Sequence, residues 1–225
     1  MKTFDLVVFD WDGTLMDSAA AIVHAISAAS LDLGLAPPGE ARARHVIGLG
    51  LNEALRYIAP ELPPEHYPEM AKRYRQRYFA CQHELTLFAG VEEMLAQLAE
   101  RGFQLAVATG KSRRGLDEAL DHFNLRACFQ ATRCADQCLS KPHPQMLLEL
   151  MRERGVAPER ALMIGDTTHD LEMAKNANVA AIAVCYGAHP PSVLRAAAPL
   201  ACVDSVAELH SWLETNAQSV KSTAS

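Results

Sequence analysis

Short apolar runs alternate with helical patterns along most of this chain, and few folds accommodate that rhythm. The runs are LVVF (6–9), FQLAVAT (103–109), RALMIGD (160–166), VAAIAVC (179–185) and PLACVDS (199–205). Each has strand length, is rich in Val, Ile, Leu and Ala, and is bounded by Gly, Pro or polar residues. Between them, GVEEMLAQLAERG spaces Val91, Met94, Leu95 and Leu98 as one helix face and stops at Gly102, while HPQMLLELMRERG does the same up to Gly155. Strands that are apolar throughout must be covered on both faces, so the pattern predicts an α/β protein with a parallel, Rossmann-like sheet.

Residues 18–86 interrupt the rhythm. SAAAIVHAISAASLDLG and PPEHYPEMAKRYRQRYFAC read as helices, the second with Tyr67, Met70, Tyr74, Tyr78 and Cys81 on its apolar stripe and Lys72, Arg73, Arg75 and Arg77 facing water. The expected organisation is an α/β core of residues 1–17 and 87–225 with an all-helical cap, residues 18–86, inserted after the first strand. The stretch from Thr215 to Ser225 lacks apolar periodicity and is expected to fray.

Ligands of an open parallel sheet bind beyond the carboxyl ends of its strands. Asp10, Asp12, Gly13 and Thr14 follow the first run; Thr109, Gly110, Lys111 and Ser112 follow the second; Asp166 and Asp170 follow the third; Lys141 stands just before a helix. Carboxylates about 5 Å apart repel by roughly 3 kcal/mol at an effective dielectric of 20, so such a cluster calls for a cation. Oxygen ligands suit a hard ion such as Mg²⁺. Thr109, the backbone amides beside it and Lys141 suit an anion. Together they describe a phosphoryl site in which Asp10 can act as nucleophile and Asp12 as general acid and base.

The motifs DWDGTLMDS, VATGKS, SKPHPQ and IGDTTHD, in that order, resemble the four motifs of the haloacid dehalogenase-like hydrolases, in the branch with a helical cap. The resemblance extends to about residue 213. It implies a Rossmann-like core, Asp10 as nucleophile and Asp12 as acid/base. It also implies phosphate binding by Thr109, Gly110 and Lys141, and Mg²⁺ held by Asp10, Asp12 (through its backbone carbonyl), Asp166 and Asp170. Dehalogenases lack the second acid, which is present here as Asp12. Phosphonate hydrolases of the group use a cap lysine where this chain has Leu51. The pattern is most similar to phosphoglycolate phosphatases, with a sugar phosphate mutase, a pyrophosphatase or a non-enzymatic, aspartate-phosphorylated switch as alternatives. The Gly48-Leu49-Gly50 loop is expected to face the site, whereas His143 and His169 are assigned incidental polar roles.

The net charge of −6 argues against nucleic acid or an acidic membrane as partner. No apolar run reaches the roughly 20 residues that span a bilayer. Six cysteines without paired spacing read as reduced thiols, hence a cytoplasmic enzyme. A small phosphorylated metabolite is the expected partner, and a monomer or homodimer the expected state.

Overall fold

A computed structural model describes residues 2–81 and 84–218. The chain opens with β1 (Lys2–Thr3) and β2 (Leu6–Phe9), followed by four helices: α1 (Ala19–Asp32), α2 (Glu40–His45), α3 (Leu51–Ile58) and α4 (Tyr67–Cys81). Then α5 (Val91–Glu100) leads into β3 (Gln104–Thr109), α6 (Arg113–His122), β4 (Ala131–Cys134) and α7 (Gln145–Arg154). The chain continues through β5 (Ala161–Gly165), α8 (Thr168–Asn176), β6 (Ala180–Val184) and α9 (Pro191–Ala196). It closes with β7 (Ala201–Val203), α10 (Val206–Asn216) and β8 (Ala217–Gln218).

Six strands form one parallel sheet in the order β4-β3-β2-β5-β6-β7. The central β2 is wholly buried, with Leu6 opposite Gln104 of β3 on one side and Ala161 of β5 on the other. Its side chains alternate between the sheet's two faces, as strand geometry requires. Val7 and Phe9 join the helices α5 and α10 through Val91, Leu95, Leu98, Leu209 and Leu213. Leu6 and Val8 meet Met146, Leu150 and Met173 of α7 and α8. This is the predicted α/β sandwich.

Two expectations need correction. Strand β4 had no counterpart among the five apolar runs, because its four residues ATRC at the sheet edge carry the polar Thr132 and Arg133. The segment from Thr215 is not frayed at its start: α10 runs to Asn216, and Ala217–Gln218 pair in parallel with Lys2–Thr3. The remaining residues of that stretch, 219–225, lie outside the described residues.

Helices α1–α4 fill the stretch between β2 and α5, with α1 packed on α4. The chain enters and leaves this helical layer through two adjacent segments. Asp17 N–H donates to the Thr86 carbonyl and Phe88 N–H to the Leu15 carbonyl, both at 3.0 Å. Phe88 packs edge-on against Tyr186 with centroids 4.7 Å apart, anchoring the exit segment to the core.

Candidate active site

The strand ends converge as Rossmann-like topology requires. Asp10 follows β2, Thr109 ends β3 and Asp166 follows β5, all fully buried. Asp170 lies in the first turn of α8, whose start is fixed by a reciprocal cap: Thr167 Oγ1 accepts from Asp170 N–H, and Asp170 Oδ2 accepts from Thr167 N–H at 3.1 Å and from its hydroxyl at 2.7 Å. Oxygens of Asp10, Asp166 and Asp170 all lie within 4.8 Å of one another.

Lys141 is the counter-charge, its Nζ 2.9 Å from Asp10 Oδ1 and 2.7 Å from Asp170 Oδ1, with all three side chains excluded from water. Burial alone would strip its proton, yet the two carboxylates more than offset this and hold the ammonium charged. Burial pushes the Asp10 carboxyl up to about 7 despite Lys141. Asp166 is raised well above the carboxylate range by burial and then by Asp10 and Asp170, although Ala188 N–H and the Thr14 hydroxyl donate to it at 2.7 and 2.9 Å.

The donor set fits Mg²⁺. Three buried carboxylates against one ammonium leave two uncompensated negative charges, the charge of one divalent ion. Asp10 Oδ2 has no hydrogen-bond partner among the described residues. Backbone crowds the carboxylates where glycine occurs: a Cβ at Gly13 (φ +80°) would sit 2.1 Å from Asp166 Oδ2, and one at Gly165 would sit 2.3 Å from Asp170 Cγ. No larger residue at those positions leaves the carboxylates where they are.

Asp12 faces elsewhere. Ser18 Oγ donates to its Oδ1 at 2.7 Å, and Lys111 Nζ lies 3.1 and 3.2 Å from its two oxygens. Lys111 also reaches the Tyr78 hydroxyl of α4 at 2.9 Å, tying Asp12 to the helical layer. Gly110 sits under the Gly48-Leu49-Gly50 loop so closely that a Cβ would fall 2.6 Å from the carbonyl oxygens of Gly48 and Leu49. A Cβ at Gly48 would itself lie 3.6 Å from Asp10 Oδ2, so this loop roofs the carboxylate cluster.

Two further contacts seat the helical layer. Ser140 Oγ accepts from Gly50 N–H at 2.7 Å. The His45 carbonyl at the end of α2 accepts from both His169 Nε2–H (2.7 Å) and His189 Nε2–H (3.1 Å). A carbonyl only accepts, so both rings carry a proton on Nε2, and His189 Nδ1 accepts from Thr168 N–H at 3.1 Å. Burial holds both rings below the usual histidine range, His169 at about 4, so they are neutral near pH 7. His169 is thus part of the seam, whereas His143 serves locally, its Nδ1 accepting from Gln145 N–H at 3.2 Å.

All the predicted site residues occur at this one end of the sheet. Sequence reasoning placed Thr14 and Lys111 beside the site without a role, and missed Ser18, Ser140 and Thr167, although each lies inside a quoted motif. It also missed Tyr78, His45 and His189, for which only the folded chain gives a signal.

Residues 7–184 match the family described as haloacid dehalogenase-like hydrolase. A "Probable phosphatase IndB" of Dickeya dadantii is 37% identical over 209 residues, 91% of this chain and 91% of that one. A "Phosphoglycolate phosphatase" of Pseudomonas putida is 31% identical, covering 91% of this chain and 78% of that one. Among solved structures, one titled as a predicted phosphatase from Clostridium acetobutylicum superposes with a TM-score of 0.84 at 27% identity, covering 95% of this chain and 100% of that one.

Proposed function

The chain belongs to the haloacid dehalogenase-like hydrolases and is an enzyme of their phosphatase kind; from that premise we propose that it cleaves a small phosphomonoester with Mg²⁺, through a phosphorylated Asp10. The observation that carries this reading is Asp10 Oδ2, a buried carboxylate oxygen at the end of the central strand with no hydrogen-bond partner among the described residues. In the first step that oxygen attacks phosphorus and the ester oxygen departs with the alcohol. Asp12, one residue from the nucleophile and on the cavity side, supplies the proton. In the second step Asp12 takes a proton from water, whose oxygen attacks the same phosphorus, releasing phosphate and restoring Asp10. Lys141, Thr109 and the backbone at Gly110 hold the phosphoryl oxygens. Ser18 and Lys111 hold the Asp12 carboxylate at the wall of the cavity, where the leaving group would lie.

Asp10, Asp166, Asp170 and the Asp12 carbonyl would hold the metal, which when bound neutralises the phosphoryl oxygens and so lowers the barrier to attack. Residues 18–86 act as a cap that opens to admit substrate and closes to exclude water. The likeness to phosphoglycolate phosphatases supports the type of reaction, not the identity of the alcohol. A cytoplasmic site of action accords with six unpaired cysteines, and no described helix is long and apolar enough to cross a membrane.

The test is phosphate release from an aryl phosphate with Mg²⁺, with EDTA, and with Ca²⁺, combined with borohydride trapping and peptide mass spectrometry. Activity only with Mg²⁺ and a reduced product at Asp10 are expected. Full activity in chelator, or a label on another residue, would overturn the reading.

A further inference from the structure

Between the helical layer and the core lies a half-open cavity of about 960 Å³. That is the space left when Gly50 is bonded to Ser140, His45 to both imidazoles and Tyr78 to Lys111. Cavities of some 300–1,000 Å³ enclose drug-sized ligands. Asp12 lines this one and Asp10 does not, so the cavity adjoins the acid that protonates the alcohol. Glycolate, a two-carbon acid, would leave most of it empty.

The walls say what the alcohol is not. The lining cations are Lys111, Arg114 and Arg75. Lys111 is engaged by Asp12, Arg114 pairs with Glu118 at 2.8 Å, and Arg75 is exposed, with no ion pair among the described residues. Against them are Glu53, Glu118, Asp121 and Asp136 in addition to Asp12. A leaving group bearing a carboxylate would enter a cavity whose five lining carboxylates outnumber its three lining cations. The walls also say what it is. Tyr74 and Tyr78 lie one turn apart on α4 with rings stacked, centroids 6.0 Å apart and planes at 25°, and Phe79 and Phe123 line the same space with Ile22 and Leu49. Flat apolar walls of this kind accept a flat ring.

We propose that the alcohol of the physiological phosphomonoester is uncharged, bulky and ring-bearing, and that Tyr74 is the wall against which its ring packs. This rests on the phosphatase reading of the site and narrows its substrate class.

The test separates binding from chemistry. With wild-type protein in Mg²⁺, calorimetry compares 3-phenylpropylphosphonate with 3-phosphonopropionate, non-hydrolysable analogues of 2-phenylethyl phosphate and phosphoglycolate. The ring analogue should bind roughly tenfold more tightly or better, Tyr74→Ala should weaken it about tenfold more than it weakens the acid, and Tyr74→Phe should restore it. Equal or tighter binding of the acid, or equal weakening of both by Tyr74→Ala, would overturn the proposal. Phosphate release from 2-phenylethyl phosphate and phosphoglycolate, whose leaving groups are both alkoxides, forms the second arm. The ring ester should show the higher kcat/KM. A higher value for phosphoglycolate would overturn the proposed leaving group while upholding the phosphatase reading. A ring preference in binding without release of phosphate from either ester would uphold the leaving group and refute the reaction.

Discussion

Two regions of this molecule face each other across a few ångströms and are held by opposite means. At the sheet edge, Lys141 joins Asp10 and Asp170, with all three side chains fully buried. A charge buried in this way has no acceptable alternative partner, and removing one member leaves another uncompensated. At the seam the ties are mostly neutral: Gly50 to Ser140, and His169 and His189 to a single carbonyl. Each such bond exchanges readily with water at a net cost near 1 kcal/mol. The first arrangement fixes atoms, and the second is the kind that the cap motion proposed above would break and remake. Asp12 stands between them, held by Ser18 and, through Lys111, by Tyr78 of the helical layer.

The hardest blow to this contrast comes at the fixed side. Asp10→Asn should lower turnover by roughly four orders of magnitude or more, as loss of a nucleophile does, while the fold persists because the amide keeps the shape. Near wild-type phosphate release in Mg²⁺ would refute the assignment. Asp12→Ala should slow aspartyl-phosphate formation about 10²- to 10⁴-fold for alkyl esters and much less for aryl esters, whose phenolate leaves with little proton help. Rapid mixing should therefore show a burst of phenol and then slow turnover. Equal slowing for both ester types would remove Asp12 as proton donor.

On the movable side, Gly110→Ala places a methyl group against the Gly48 and Leu49 carbonyls and should hold the seam ajar. A loss near 10²-fold in kcat/KM with little change in melting temperature is expected, since a misplacement of about 1 Å is worth that much. Unchanged kinetics would mean that seating is not needed. The smallest effect concerns protons. Asp10 is raised to about 7 in the folded, metal-free protein, above its unfolded value. Its proton therefore stabilises the fold in acid, and that contribution is lost as pH climbs from near 4 through 7. Mg²⁺ displaces the proton, so its stabilising effect should grow with pH. Melting temperatures with and without Mg²⁺ at pH 6 and pH 8 test this; a larger Mg²⁺-induced rise at pH 6 would contradict it.

The fixed side was the legible one. A buried strand that ends in Asp10 and Asp12 announces itself, because apolar runs and catalytic acids have little other reason to adjoin. The sheet followed from the same runs, except for β4, whose Arg133 is held by Glu149 and Glu153 at 2.7 Å each rather than by an apolar face. Two of the four inserted helices, α2 and α3, are short, and loop residues rather than periodicity mark their ends. The seam was not legible at all. Nothing local distinguishes the carbonyl of His45 from any other, nor Tyr78 from the rest of an aromatic stripe. Their roles exist only once α2 and α4 lie over the sheet.

The position of β2 carries a consequence for how the chain is made. It precedes both of its neighbours in the chain, yet it occupies the middle of the sheet, with Gln104 and Ala161 as the two partners of Leu6. Until β3 has followed, this apolar strand has neither neighbour. Helices α1–α4, whose contacts lie within one contiguous stretch, can form meanwhile, and local contacts form fastest. Asp10, the proposed nucleophile, is thus attached to a segment that waits for two later partners, and until residue 161 has emerged that segment is a natural target for a chaperone that holds exposed strands.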